Sequence, residues 1–165
     1  MQTPVSRPPF IVSGFIGAAL SAPGLAAVIC MLGAIATALF AEGDPTRLGA
    51  AVFGVFLFFV IATFWGAVPS LVFGGLVLAV MQRVPWRRPP AALEFTVGGV
   101  VAAGLYVLTA VGVASLSPGA AMVFAPWTAP DLLDGDGGPP WWVVTSLLLA
   151  GAGAGRFYAM CVKRG

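Results

Sequence analysis

Histidine is absent from the 165 residues of this chain, and charged residues make up only 8% of them. Without histidine, the chain lacks the commonest general base, the commonest metal ligand and the usual axial ligand of haem. The two cysteines, Cys30 and Cys161, lie in different apolar segments and form no CxxC motif, so neither a zinc site nor a disulfide between them is expected. The sequence therefore predicts no metal site and no cofactor, and it assigns no cofactor-binding residue.

Catalytic motifs are also missing. The chain contains no GxSxG, no Walker loop and no pair of carboxylates within an apolar segment. The stretch GAGAGR at 151–156 has the glycines of a phosphate-binding loop, but it lies inside an apolar segment and lacks the strand–turn–helix context that such a loop needs. We therefore expect no catalytic residue and predict that the protein is not an enzyme.

Apolar residues are what the chain has in abundance. It is 59% hydrophobic with a mean hydropathy of +1.00, and it falls far below the charged content of about 25% in ordinary soluble domains. Its apolar segments reach the length of about 20 residues that a spanning helix requires, and they lack the alternation of membrane β-strands. The sequence predicts an all-α polytopic membrane protein, a single four-helix transmembrane domain over 1–165, with spans at 10–41, 48–82, 91–115 and 141–162 and an outer loop at 116–140.

Each of the first two apolar segments is too long for one straight crossing and has a proline near its middle, Pro23 or Pro69. Proline removes a backbone donor and clashes with the preceding helical turn. We therefore predict proline-kinked first and second spans. A span joined to a short interfacial helix, or a re-entrant pair, also fits these lengths. The outer loop contains the apolar stretch AAMVFAPW, which predicts that part of it returns to the membrane surface.

The few charges are sorted by sign along the four predicted spans. Every basic residue except Arg47 falls on one side, and most of the acidic residues fall on the other. Loops that keep arginine and lysine stay in the cytoplasm, so both termini are predicted to be cytoplasmic, with Arg83, Arg87 and Arg88 as the topology determinants. The preference for arginine over lysine, seven to one, and the abundant Ala, Gly and Pro resemble the composition of proteins from GC-rich bacteria. We therefore predict a multi-pass protein of the bacterial cytoplasmic (inner) membrane.

Aromatic residues are concentrated in two settings. Tryptophans border the predicted loops, where their amphipathic rings favour the headgroup layer, and the predicted interface anchors are Trp86, Trp127, Trp141 and Trp142. The second span carries many bulky rings, among them Phe53, Phe56 and Phe64. We expect this span to face lipid or a hydrophobic partner, and contact with a quinone or a pigment remains an alternative.

Small residues spaced four apart mark predicted helix-packing faces, because they let helix backbones approach closely in lipid. Gly151 with Gly155 and Gly98 with Ala102 have this spacing.

Two ionisable residues, Glu94 and Arg156, fall inside apolar segments at comparable depths. An unpaired charge at a helix centre costs about 2.5–3.5 kcal/mol on insertion scales. We therefore predict that they form a candidate intramembrane ion pair or that their charges snorkel to the interface. An ion or proton site, or contact with a partner or a lipid headgroup, is the alternative.

These features predict a non-catalytic accessory, structural or assembly subunit that packs against a larger membrane complex. Its expected partners are membrane lipids and other membrane subunits or a second copy of itself, and the net charge of +2 without a basic stripe does not indicate nucleic acid. The alternative is a small homo-oligomeric transporter or channel, which the proline breaks favour and the scarcity of polar residues within the spans disfavours. A lipid-modifying enzyme would have only Glu94, Arg156 and the loop aspartates available.

Overall fold

The computed structural model describes residues 10–41, 45–86, 89–125 and 141–164. Within these ranges all regular secondary structure is helical, which confirms the all-α prediction. The helices are α1 (Val12–Ala41), α2 (Pro45–Arg83), α3 (Ala92–Leu116), α4 (Pro118–Phe124) and α5 (Trp141–Arg164).

Four of the described helices are long and apolar enough to cross a membrane, so the chain is a multi-pass membrane protein. Hydrocarbon offers no hydrogen-bond partner for the backbone, and a helix satisfies its own peptide groups. The most apolar windows lie at Val12–Gly33, Thr63–Arg83, Ala92–Leu116 and Trp141–Lys163.

The four long helices form a closed ring. α1 packs against α2 and α5, and α3 packs against the same two helices, so the order around the ring is α1, α2, α3, α5. Neighbours in the ring run antiparallel: a Cβ added at Gly14, near the start of α1, would lie 2.8 Å from Cβ of Cys161, near the end of α5. We call the end of the bundle where α2 finishes the Arg83 end, and the opposite end the α4 end.

A hydrophobic cluster fills the Arg83 end of the ring. The rings of Phe95 and Tyr158 meet edge to face with centroids 5.3 Å apart, and Leu78 and two alanines pack beside them. The hydroxyl of Tyr158 accepts a hydrogen bond from the Ile11 backbone N–H at 3.4 Å, just before α1 begins. This end is therefore held together by side chains from all four long helices.

The contact between α3 and α5 is made by glycines whose backbones touch. A Cβ placed on Gly99 would overlap the carbonyl of Gly151, one on Gly151 would overlap the carbonyl of Gly99, and one on Gly155 would overlap the carbonyl of Phe95. Only residues without a side chain permit this approach, which is the close packing that small residues provide in lipid.

Both proline-containing segments are single continuous helices, of 30 residues for α1 and 39 residues for α2. Pro23 packs against Gly66, where an added Cβ would overlap the ring, so the proline of α1 lies within one turn of Pro69 along the bundle. Both proline side chains are buried. The two turns that lose a helical hydrogen bond are therefore neighbours, although the kinks themselves stay a prediction.

The short helix α4 follows α3 directly and folds back along the bundle, in the segment that we expected to return to the membrane surface. The indole N–H of Trp65 on α2 donates to the Val123 carbonyl. The ring of Tyr106 on α3 meets that of Phe124 edge to face at 5.5 Å, and its hydroxyl donates to the Phe124 carbonyl at 3.4 Å. α4 therefore covers the seam between α2 and α3, and Ala125 behind it is fully buried.

Candidate functional site

The ring of helices surrounds a partly open cavity of about 410 Å³, lined by residues of α1, α2, α3 and α5. Its volume falls within the range of roughly 300–1,000 Å³ that ligand pockets occupy. It lies between the hydrophobic cluster at the Arg83 end and the level of Trp65 and Cys30 toward the α4 end.

Small residues form much of the cavity wall on three helices, and larger side chains such as Phe15, Tyr106 and Trp142 complete it. Alanines line it from α1, and glycine and alanine line it from α3 and α5, including Ala22, Ala26, Ala102 and Ala154. The α3–α5 backbones touch and cannot move further inward, and Pro23 rests on Gly66. These contacts hold the four helices at a spacing that leaves space between the alanine side chains.

The cavity wall carries no charged side chain. Its polar groups are few, and three of them bond to backbone groups: Trp65 to Val123, Tyr106 to Phe124 and Tyr158 to Ile11. Ser70 and Cys30 add a hydroxyl and a thiol. Among the residues that the structure describes, no three histidine, cysteine or acidic side chains come together as a metal-binding group. Such a wall suits an apolar occupant and supplies no acid–base pair.

The two proline turns lie beside the cavity. Pro23 and Pro69 lack the N–H that would bond to the carbonyls of Ala19 and Trp65, four residues earlier, and both of those residues line the cavity. The two turns that lack a helical N–H therefore border the same cavity at neighbouring levels.

The four predicted packing residues occupy two different interfaces. Gly151 and Gly155 lie in the α3–α5 contact, whereas Gly98 faces α2, where an added Cβ would meet Met81 at 3.0 Å and Val77 at 3.4 Å. Ala102 lines the cavity. The glycine of α3 that touches α5 is Gly99, and its neighbour Gly98 has the same small-residue spacing, so sequence alone does not tell which of them faces α5.

The predicted ion pair, Glu94 with Arg156, sits on adjacent backbones. Phe95 contacts Gly155 directly, so the residues on either side of that contact share one level near the Arg83 end. Glu94 is half-buried and Arg156 is exposed. The pairing of the two charges stays a prediction, and neither residue lines the cavity.

The predicted interface anchors are distributed over both ends of the bundle. Trp86 is half-buried at the Arg83 end, and its indole N–H donates to the Met81 carbonyl at 2.7 Å. At the start of α5, Trp141 is 73% exposed, whereas Trp142 is 47% exposed and also lines the cavity. Trp127 lies outside the described residues.

Of the predicted topology determinants, Arg83 is the last residue of α2 and its side chain is exposed. Arg87 and Arg88 lie outside the described residues. Lys163, near the end of α5, is exposed as well, and α5 finishes at the same end of the bundle. Arg83 and Lys163 therefore lie together at the Arg83 end.

The fold and cavity define a class: a multi-pass membrane protein whose spanning helices surround an apolar axial cavity. Comparison with models of known protein families, with curated proteins and with solved structures finds no match for the chain.

Proposed function

We propose that this chain is a non-catalytic membrane subunit that packs against a larger membrane complex, as an accessory, structural or assembly component. The observation that carries the proposal is the length of α2. Its apolar stretch, residues 48–82, lies within one continuous helix, and at 1.5 Å per residue it is about 52 Å long.

A bilayer cannot cover a stretch of this length. Spanning helices tilt by at most about 40°, which leaves a projection of about 40 Å against a hydrocarbon thickness of about 30 Å. The neighbouring α3 has 25 residues and cannot accompany α2 over its whole length. About the first two turns of the apolar stretch of α2, at the α4 end, therefore extend beyond both the hydrocarbon and α3.

Large rings are exposed on the first half of α2, toward the α4 end. Phe53 is 69% exposed, Phe56 is 64% exposed and Phe64 is 76% exposed. Contiguous apolar surface at the edge of a membrane is typical of protein contact sites. We infer that the partner is a membrane protein with an apolar surface that continues beyond the hydrocarbon at the α4 end.

Kinks at Pro23 and Pro69 are part of this proposal. The two prolines lie at one level, so α1 and α2 would bend together and turn the α1–α2 hairpin as a unit. Spin labels at residues 57 and 80 of α2 test the bend. The distance between them is expected to increase in Pro69→Ala, and an unchanged distance would argue against a kink at this proline.

We also propose that the Arg83 end is cytoplasmic and that the membrane is the cytoplasmic membrane of a bacterium. The clustering of arginine and lysine at one end of the described helices supports this orientation. A cysteine at position 87 is expected to resist, and one at position 134 to react with, an impermeant thiol reagent applied to intact cells. The reverse pattern would invert the orientation.

Site-specific photo-crosslinking in cells tests the subunit role. A photoreactive residue in place of Phe53 or Phe56 is expected to give one discrete protein adduct. The matched control is Leu108 on α3, which is 71% exposed and lies within a span of ordinary length, where lipid adducts alone are expected. Lipid adducts alone at all three positions would overturn the proposal.

The second candidate is a small homo-oligomeric transporter or channel, and the cavity favours it. Two proline turns side by side at an axial void resemble the broken helices at which transporters bind substrate. In the crosslinking experiment this candidate predicts an adduct of twice the chain mass. It further predicts solute or ion flux in liposomes that contain the purified chain alone.

A further inference from the structure

The axial cavity is too large and too apolar to be filled by water. A buried water needs about two to four polar partners, and this wall offers few, because the polar groups of Trp65, Tyr106 and Tyr158 already bond to backbone groups. An empty void of about 410 Å³ would forfeit the dispersion contacts of every wall atom. The protein sits in a solvent of hydrocarbon chains, so an occupant of that chemistry is always available.

The cavity is long and narrow. Its wall extends along α2 from Met81 to Ile61 and along α3 from Phe95 to Tyr106, which correspond to about 30 Å and about 16 Å at the rise of a helix. A volume of about 410 Å³ along such a wall suits a single extended aliphatic chain.

The two ends of the cavity differ, and the difference orients an occupant. At the Arg83 end the wall is formed by deeply buried residues, among them Phe95 and Tyr158, which are 4% and 5% exposed. Toward the α4 end the wall reaches Ile61, which is 47% exposed, and Cys30, which is half-buried. The wall contains no charged group to hold a lipid headgroup. The headgroup must then stay outside the α4 end while the chain points toward Phe95.

We propose that the axial cavity binds one aliphatic chain of a membrane lipid, with its methyl end toward the Arg83 end of the bundle. An acyl chain of a phospholipid and an isoprenoid tail share this chemistry. The proposal does not depend on a partner complex, because all of the lining residues belong to this chain.

Native mass spectrometry of the purified full chain tests the proposal. The detergent-washed protein is incubated with palmitoyl-oleoyl-phosphatidylglycerol or with undecaprenyl phosphate, and the number of retained lipids is counted. We expect one molecule per chain, and the probe that is retained identifies the source of the chain. Retention of neither probe, and of no copurified lipid, would overturn the proposal.

Variants that fill the cavity provide a second test of the proposal. Ala102→Phe places a ring in the void and is expected to reduce retention at least tenfold. Val101→Phe is the matched control, since Val101 is the neighbouring residue on α3 and is 48% exposed on the outside; it is expected to retain the lipid. Equal retention by both variants would show that the lipid binds elsewhere.

A further variant covers the case in which Ala102→Phe does not fold. Ala22→Phe fills the same void from α1, and Leu20→Phe, at a position 46% exposed, is its control. Folding is checked for each variant by its helical circular dichroism and its melting temperature. A folded Ala22→Phe protein that still retains one lipid would contradict the proposal.

Discussion

The two sides of α3 bury their surface in opposite ways. Toward α5, Gly99 meets Gly151 with backbones in contact, whereas toward α2, Gly98 meets the side chains of Met81 and Val77. The first contact leaves no room for a methyl group, whereas the second is made through side chains, and the glycines of both contacts line the axial cavity. In lipid, where water does not drive helices together, close packing comes from missing side chains, and larger ones keep the helices apart.

The largest effect is expected from adding a methyl group at the closest α3–α5 contact. Gly151→Ala would force the two backbones apart, and because the clash is with backbone atoms we expect a cost of about 3 kcal/mol or more. Gly104→Ala on α3 is the control, because a Cβ there has no atom within 4 Å, and it is expected to gain up to about 1 kcal/mol of helix propensity. The free energies of unfolding, measured by steric trapping in micelles, should therefore change with opposite signs. Equal changes would mean that the α3–α5 contact is looser than described.

An intermediate effect is expected when a larger side chain is placed in the packed cluster. Ala159 belongs to the hydrophobic cluster and is 2% exposed, so Ala159→Leu should lower the free energy of unfolding by about 1–3 kcal/mol. Ala102→Leu adds the same atoms inside the cavity, where there is space for them, and should leave stability unchanged or raise it. The free energy of unfolding of both variants is measured in lipid-free detergent. A similar loss at both positions would show that the cavity has no space for the larger side chain.

The smallest effect is expected at α4, which lies over the contact between α2 and α3. Trp65→Phe removes the hydrogen bond to Val123, which is worth about 1 kcal/mol. This should speed hydrogen exchange of the α4 amides by about fivefold and leave the melting temperature unchanged. Trp141→Phe, at a position 73% exposed at the start of α5, serves as the control. An unchanged exchange rate in Trp65→Phe would show that α4 is held by the Tyr106–Phe124 contact instead.

The sequence was sufficient to predict the four long helices. The third was predicted at 91–115 and is found at Ala92–Leu116, and the fourth was predicted at 141–162 and is found at Trp141–Arg164. The length of each apolar segment is enough to predict a spanning helix, because a helix forms its backbone hydrogen bonds within its own residues.

The order of the helices around the ring and the cavity could not be predicted in this way. A helix that is apolar all round has no distinct face, so its sequence does not indicate which side meets a neighbour. Gly98 and Gly99 illustrate this, since both have small residues four positions later and only the three-dimensional arrangement separates their roles. The seven-residue α4 was missed as a helix because the contacts that accompany it, with Trp65 and Tyr106, come from distant parts of the chain.

The hydrogen bond between Tyr158 and Ile11 joins residues that are 147 positions apart. During biosynthesis the first helix enters the membrane long before its partner on α5 has been translated. Until then, one side of α1 is open to the bilayer and the ring cannot close. Membrane insertion of the final helix is thus the step that completes the tertiary structure.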